Sequence, residues 1–322
     1  MHALTHPAPG ALALVDRPAP SPGPGEILVA VHASGLNRAD LHQRDGKYPA
    51  PAGWPAEIPG LEYAGEVDAV GAAVTRWRVG DRVMGLVGGG GHAGALVVPE
   101  NEVLAVPDGL TFVAAAALPE AFLTAWDAIA LQGSARPGSR VLMHAIGSGV
   151  GTAAVQLARV LGWNLVGTSR TADKLVRATT LGLQHGVLST DHDWPGQVGG
   201  AIDVLVDPLG AEFFADNFAL LAQQGRYIVL GTMTGRIGPP IDLGAMLSRR
   251  LQVIGTAMRS RSGVERSALV ERFAAEVLPM FASGRLVPVI DSIFDITAAA
   301  AAYQRLEGNA TFGKVILQHR AS

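Results

Sequence analysis

The sequence predicts an α/β protein with two textures, a β-rich first third followed by a doubly wound parallel sheet. Three observations carry this. The first hundred residues hold short apolar runs punctuated by Gly and Pro; from about Pro119 apolar strands alternate with helically spaced stretches; and one strand–turn–helix in that alternation has a turn of small residues, Gly147-Ser148-Gly149-Val150-Gly151. At 322 residues the chain is long enough for two domains and a large core.

Taken in order, Glu26–Ala33 is a strand candidate just after the Pro/Gly cluster at 18–25. Gly65–Val70, Arg82–Gly85 and Ala95–Val98 read as further short strands, separated by turn chemistry such as Val79-Gly80-Asp81. Gly88-Gly89-Gly90-Gly91 reads as a loop, because four consecutive glycines carry no side-chain information. Arg140–His144 is an apolar strand and Gly149–Leu161 a helix with apolar residues at helical spacing. A strand at Asn164–Thr168, a helix at Ala172–Leu181 and strands at Ala201–Val206, Arg226–Leu230 and Gln252–Gly255 complete the alternation. The rest predicts a long helix over Val264–Ala282, an extended segment at Leu286–Phe294, an Ala-rich helix around Thr297–Leu306 and a final strand at Lys314–Gln318.

Composition excludes several function classes. Hydrophobic residues make up 48% and charged residues 16%, which rules out a disordered chain. A formal charge of −3 without a long basic run argues against a nucleic-acid partner. The chain has no cysteine, so disulfides, Cys₄ zinc, iron–sulfur centres and a thiol nucleophile are all excluded. Met1–His6 lacks a basic stretch leading into an apolar core, and no run of about 18 apolar residues is free of charges and breakers. The expectation is a cytoplasmic protein without a membrane span. Asp191-His192-Asp193 is an exposed-looking cluster without metal spacing, and His92 and His144 stand alone.

The turn after Arg140–His144 predicts a dinucleotide site. A pyrophosphate needs backbone N–H groups at a helix N-terminus with no Cβ blocking close approach, and Gly149, Val150 and Gly151 supply them. The strict G-x-G-x-x-G spacing is not met: counting back from Gly151, Ser148 holds the second glycine position and Ile146 the first. The context, strand before and helix after with a second strand ending about twenty residues on, still supports it. That second strand runs into Ser169-Arg170-Thr171, with Lys174 one helical turn on, where an NAD-selective site carries Asp or Glu. A 2′-phosphate wants a cation and hydroxyl donors, so Ser169, Arg170 and Lys174 predict NADPH over NADH.

Two further segments bear on the chemistry: Ser34-Gly35-Leu36-Asn37-Arg38-Ala39-Asp40-Leu41 and Pro59-Gly60-Leu61-Glu62-Tyr63-Ala64-Gly65. They resemble the catalytic-zinc segments of medium-chain dehydrogenases, with Asn37 where those enzymes carry a Cys ligand and Leu61 where they carry His. An amide and an aliphatic side chain cannot hold Zn²⁺ as a thiolate and an imidazole do, so no metal is expected. With Gln43–Tyr48, Leu118–Ala125, Gly147–Ala154, Arg259-Ser260-Arg261 and Phe312-Gly313-Lys314-Val315, nearly the whole chain resembles the zinc-independent quinone oxidoreductases of the medium-chain dehydrogenase/reductase superfamily, closest to the p53-inducible subfamily.

The resemblance implies a GroES-like substrate domain split over 1–120 and 262–322, a Rossmann NADPH domain over 121–261, and a homodimer formed through the nucleotide domains. It implies hydride transfer from NADPH to a quinone held in the inter-domain cleft. Tyr48 is similar to the family's active-site tyrosine, placed to donate a proton or stack on the acceptor; Asn37 would orient the nicotinamide ribose or the substrate carbonyl, or else cap a turn. Thr124 and Ser148 would lie near the nicotinamide, and Gly231, after the Arg226–Leu230 strand, would also border the cofactor. Asp40 is expected to buttress the helix that follows it, and Arg259 and Arg261 to face either the cofactor or a dimer neighbour. Two alternatives stand beside this: an NADPH-dependent enone or enoyl reductase, and a low-turnover NADPH-binding sensor.

Overall fold

A computed structural model describes residues 1–319. The chain divides into two compact units, Met1–Leu123 with Met258–Ser322, and Thr124–Ala257.

The first unit is built on a seven-stranded sheet in which Ile290–Asp295, Lys314–Gln318, Glu26–Leu36, Glu62–Val70, Arg82–Leu86 and Val103–Ala105 lie side by side, with Ala95–Pro99 also pairing Glu26–Leu36. Ile27, Val29 and Val31 alternate onto one face and pack with Tyr63, Val67 and Val83 in a dry core. The period of two is what a half-buried strand requires, and each such side chain contributes about 1.5–3 kcal/mol. Lys314–Gln318 runs antiparallel to Glu26–Leu36 with Val315 opposite Leu36, so a residue near the chain's end is delivered beside Asn37. A second cluster of Leu36, Leu41, Tyr303 and Val315 fixes the short helix Arg38–Arg44.

The second unit is a six-stranded parallel sheet in the order His185–Leu188, Asn164–Ser169, Arg140–Met143, Ile202–Asp207, Leu221–Val229, Gln252–Gly255. The strand order reverses between Arg140–Met143 and Ile202–Asp207, and ligands of such sheets bind at the carboxyl ends of strands at that switch. The helix Gly149–Leu161 starts on a Ser148 cap, whose Oγ accepts the Gly151 N–H at 3.0 Å, and stops at Gly162 in a left-handed conformation (φ 75°).

The structure departs from the sequence expectation in places with clear causes. The helix expected over Val264–Ala282 is two helices, Gly263–Glu276 and Pro279–Ala282, because Pro279 has no N–H to continue the ladder. The extended segment expected at Leu286–Phe294 forms a strand only at Ile290–Asp295. The strand expected at Arg226–Leu230 begins at Leu221, with a bend where Gln224 takes a positive φ of 62°. The hairpin His2–Thr5/Ala13–Asp16 and the strand His185–Leu188 were not expected. One helical run, Phe112–Gln132, is long and apolar enough by composition to cross a membrane (mean hydropathy 1.4), but 78% of its most apolar window is buried inside the protein, as in a core helix.

Candidate active site

Two groups of functional side chains stand out, one in each unit. In the first unit Asn37 follows the strand Glu26–Leu36 with extended backbone and opens the helix Arg38–Arg44. Asp40 buttresses this start: its carboxylate accepts the Asn37 N–H at 2.7 Å and the Gly60 N–H at 3.0 Å, tying the two zinc-like segments together. From this cap position the Asn37 side chain turns inward. Its Nδ2 donates to Glu62 Oε1 at 2.9 Å and to Gly35 O at 3.3 Å, while Oδ1 accepts from Lys314 Nζ at 2.5 Å. Lys314 also lies 2.5 Å from Glu62 Oε1 and donates to Leu36 O at 2.8 Å. Glu62 Oε2 accepts the N–H of Glu120 at 2.8 Å. Gly35 is obligatory here, because a Cβ would overlap Glu62 Oε1.

Tyr48 lies in the loop after this helix, half-buried, with no hydrogen-bond partner for its hydroxyl among the described residues. Arg259 faces it: the guanidinium carbon is 4.7 Å from the ring centroid, Nη1 donates to Tyr48 O at 2.9 Å, Nε donates to Gly88 O at 2.8 Å, and Nη2 donates to Gln43 Oε1. Arg259 is thereby bound to the Tyr48 loop of its own unit. Burial pushes the Tyr48 phenol up from its ordinary value; the Arg259 charge opposes the rise and Glu120 adds to it. Tyr48 is therefore a protonated phenol at neutral pH, able to donate. His92, read from sequence as uninformative, is fully buried; its Nδ1 bonds Ser34 Oγ at 2.8 Å, and its Nε2 stands 3.8 Å from Asp40 Oδ2.

In the second unit the turn after Arg140–Met143 contains Ala145 with φ 53°, and the cap uses Ser148 Oγ for Gly151 N–H and Ser148 O for Thr152 N–H. The first four N–H groups of a helix have no intrahelical acceptor, so those of Gly149 and Val150 are left for a ligand. Lys174 crosses this turn, since a Cβ on Gly147 would come 2.6 Å from its Cδ. Ser169 ends the strand Asn164–Ser169 with Oγ accepting Thr171 N–H, and Arg170 beside it is exposed and makes no hydrogen bond or ion pair among the described residues. Gly231 follows the strand Leu221–Val229 against Pro208, whose carbonyl a Cβ would approach to 2.7 Å. Thr124 is buried with an orphaned hydroxyl. Unpaired helix N–H groups and an exposed cation at the second strand's end fit the phosphates of a dinucleotide.

Sequence reading missed the network beneath this turn. Asp207 ends the strand Ile202–Asp207 and accepts from Leu209 N at 2.6 Å, Gly210 N at 3.1 Å, Asn217 Nδ2 at 3.3 Å and Tyr227 OH at 2.5 Å. Asn217 Oδ1 faces His144 Nε2 at 2.7 Å, and Thr168 Oγ1 lies 2.7 Å from Nδ1. Asn217 spends its Nδ2 on Asp207, so its carbonyl accepts from Nε2–H and Thr168 donates to Nδ1. Burial pushes the His144 imidazole down, with Asp207 and Asn217 opposing, so the ring is neutral.

Comparison with known proteins fits this geometry. Residues 23–108 match the alcohol dehydrogenase GroES-like domain and residues 181–317 the zinc-binding dehydrogenase family. A quinone oxidoreductase of Pseudomonas aeruginosa is 32% identical over 306 residues, covering 92% of each chain. The chain belongs to the quinone oxidoreductase family. Within the same medium-chain dehydrogenase/reductase superfamily, the rat synaptic vesicle membrane protein VAT-1 homolog is 32% identical over 94% of this chain and 80% of its own. Among solved structures, a mycobacterial protein complexed with NADPH superposes with a TM-score of 0.88 at 29% identity, over 99% of this chain and 100% of its own. CurK enoyl reductase gives 0.86 at 27% identity over 98% of both chains.

The zinc implied by one of these families does not fit the residues present. Asn37 and Leu61 stand where the ligands would, and the ammonium of Lys314 already sits on Asn37 Oδ1 and Glu62 Oε1. Among the described residues no group of three His, Asp or Glu side chains is placed to hold a metal.

Proposed function

We propose that this quinone oxidoreductase family member is an NADPH-dependent, metal-free quinone reductase. The observation that carries the reading is the donor set at the former metal positions: an amide, an aliphatic side chain and an internal ammonium. Such a site suits an acceptor that takes hydride without a Lewis acid, and a quinone does so because its reduced form is a delocalised phenolate.

NADPH, when bound, supplies hydride. The N–H groups of Gly149 and Val150 would face its pyrophosphate, with Gly151 allowing the close approach, while Ser169, Arg170 and Lys174 would hold the 2′-phosphate. Ser148, Thr124 and Gly231 would border the nicotinamide half. Asn37 fixes the orientation of the reacting groups, and Tyr48 donates its phenolic proton to the quinone oxygen and is reprotonated by solvent. The balance is one quinone, one NADPH and one proton giving hydroquinone and NADP⁺. Exposed Leu243, Leu247 and Ile237, close in sequence to the edge strand Gln252–Gly255, support a homodimer through the nucleotide units.

The test is NADPH oxidation, followed by near-UV absorbance, against ortho- and para-quinones and simple enones, with chelator present and NADH in parallel. Chelator-insensitive quinone turnover with NADPH is expected. Turnover of enones alone would reassign the protein to an enoyl reductase, and tight NADPH binding without oxidation would make it a sensor.

A further inference from the structure

We propose that Lys314 is a tethered cation which completes the metal-free site: its ammonium fills an oxygen cage made by Leu36 O, Asn37 Oδ1 and Glu62 Oε1 and thereby fixes the Asn37 carboxamide. The inference deepens the hydride-transfer reading and rests on it for its kinetic arm.

All three ammonium hydrogens have acceptors, at 2.8, 2.5 and 2.5 Å, and both Lys314 and Glu62 are buried. That leaves no ambiguity in the Asn37 amide. An ammonium has no lone pair, so the atom facing it is Oδ1, and the atom facing the Glu62 carboxylate must be Nδ2. Removing the cation would free the amide to flip and would leave Glu62 as a buried, uncompensated anion where a negative oxygen develops during reduction.

A buried ion pair is weak evidence for stability, since an apolar pair of similar volume packs as well. The surroundings are nonetheless arranged around this one. Gly35 has no Cβ because Glu62 Oε1 needs the space, and Gly313 takes φ +93° against Val289 O at the entry to the Lys314 strand. The other Glu62 oxygen holds the N–H of Glu120, at the start of the helix that carries Thr124. Lys314 is thus a positioning residue: it acts through Asn37 and Glu62.

The experiment uses the full chain with Lys314→Ala, which removes the equivalent of n-propylammonium from the cage, and the paired variant Lys314→Met/Glu62→Gln, which removes both charges. For Lys314→Ala we expect a lowered melting midpoint and kcat at least tenfold down with the KM for NADPH within twofold. Millimolar n-propylammonium restores both saturably, and sodium or tetramethylammonium at equal ionic strength does not. The paired variant recovers the melting midpoint but keeps the low kcat. Parental kinetics in Lys314→Ala, or recovery of kcat together with stability in the paired variant, would overturn the positioning role. If the parent chain turns over no acceptor, the function proposed above fails, while the propylammonium-dependent midpoint still tests the cage. A midpoint indifferent to propylammonium would overturn it, and if Lys314→Ala does not fold, the paired variant decides.

Discussion

Replacing Tyr227 by Phe removes one oxygen from a fully buried network and leaves the ring packing intact. That oxygen donates to Asp207 Oδ2 at 2.5 Å and accepts from Asn217 Nδ2 at 3.1 Å. In the variant the Asp207 carboxylate keeps its bonds from Leu209, Gly210 and Asn217. Two bonds are lost, the charge-assisted one to Asp207, about 1.5–3 kcal/mol, and the one from Asn217; because Asn217 Nδ2 keeps Asp207 as an acceptor, the first sets the magnitude. Amides of Leu205 and Val206, in the centre of the parallel sheet, exchange through opening of the second unit, so their exchange should speed by about 10- to 150-fold. The effect should be flat between about pH 6 and 9, because burial and then Asp207 push the Tyr227 phenol far above its ordinary value and the group stays protonated. Hydrogen exchange by mass spectrometry reads both. Acceleration below twofold would mean that the bond contributes nothing net and that the network is ornamental to stability.

Arg170→Ala should weaken NADPH binding by about 10- to 150-fold and leave NADH binding unchanged, as measured by fluorescence titration, since an arginine–phosphate contact is about 1.5–3 kcal/mol. Ser148→Ala should cost about 1 kcal/mol through the lost helix cap, read by chemical denaturation. Asp291 titrates low in the fold: burial raises it, but Arg305, the Phe312 N–H and Ser292 together outweigh burial. Its contribution is present above the unfolded carboxylate value of about 3.9 and lost as pH falls through the lower folded value, so Asp291→Asn should flatten the acid limb of a stability–pH profile. Leu247→Asp, at a residue 80% exposed, tests the proposed homodimer: light-scattering mass should shift from dimer for the parent to monomer for the variant without unfolding the chain.

The parallel sheet was legible because its strands are buried on both faces and read as continuous apolar runs, as in Val141-Leu142-Met143, and because Ser148 and Gly162 bracket the following helix with cap chemistry. Short edge elements were not legible. His185–Leu188 is four residues long, with its first two more exposed than Val187, so neither period nor hydropathy marks it. In the candidate site, local pattern singles out the glycine turn, whereas Asn37 and Tyr48 come from the family resemblance. What they touch depends on sequence-distant packing: Arg259 reaches the Tyr48 loop across 211 residues and Lys314 reaches Asn37 across 277. The Phe312-Gly313-Lys314 motif was the one visible signal for the latter, and it carried no hint of a partner. The Asp207 network gave none, because Asp, Asn, His and Tyr spread over four elements have no spacing to recognise.

The hydrogen-bond accounting of the first unit sets how the chemistry is shared there. Asn37 has committed Oδ1 to an ammonium and one Nδ2 hydrogen to a carboxylate; its second hydrogen makes only the 3.3 Å contact to Gly35 O. Asp40 is spent on two backbone N–H groups, and Glu62 on Lys314, Asn37 and Glu120. Groups so thoroughly satisfied hold geometry well and exchange protons poorly. The Tyr48 hydroxyl is in the opposite condition: half-buried, protonated, unpartnered, on a loop pinned at Tyr48 O, Gly88 O and Gln43 by one arginine. The arrangement divides the work within the first unit between a rigid, neutralised frame around Asn37 and an unpartnered donor on the Tyr48 loop, a division that suits the proposed reaction, which must place two rings accurately and deliver one proton.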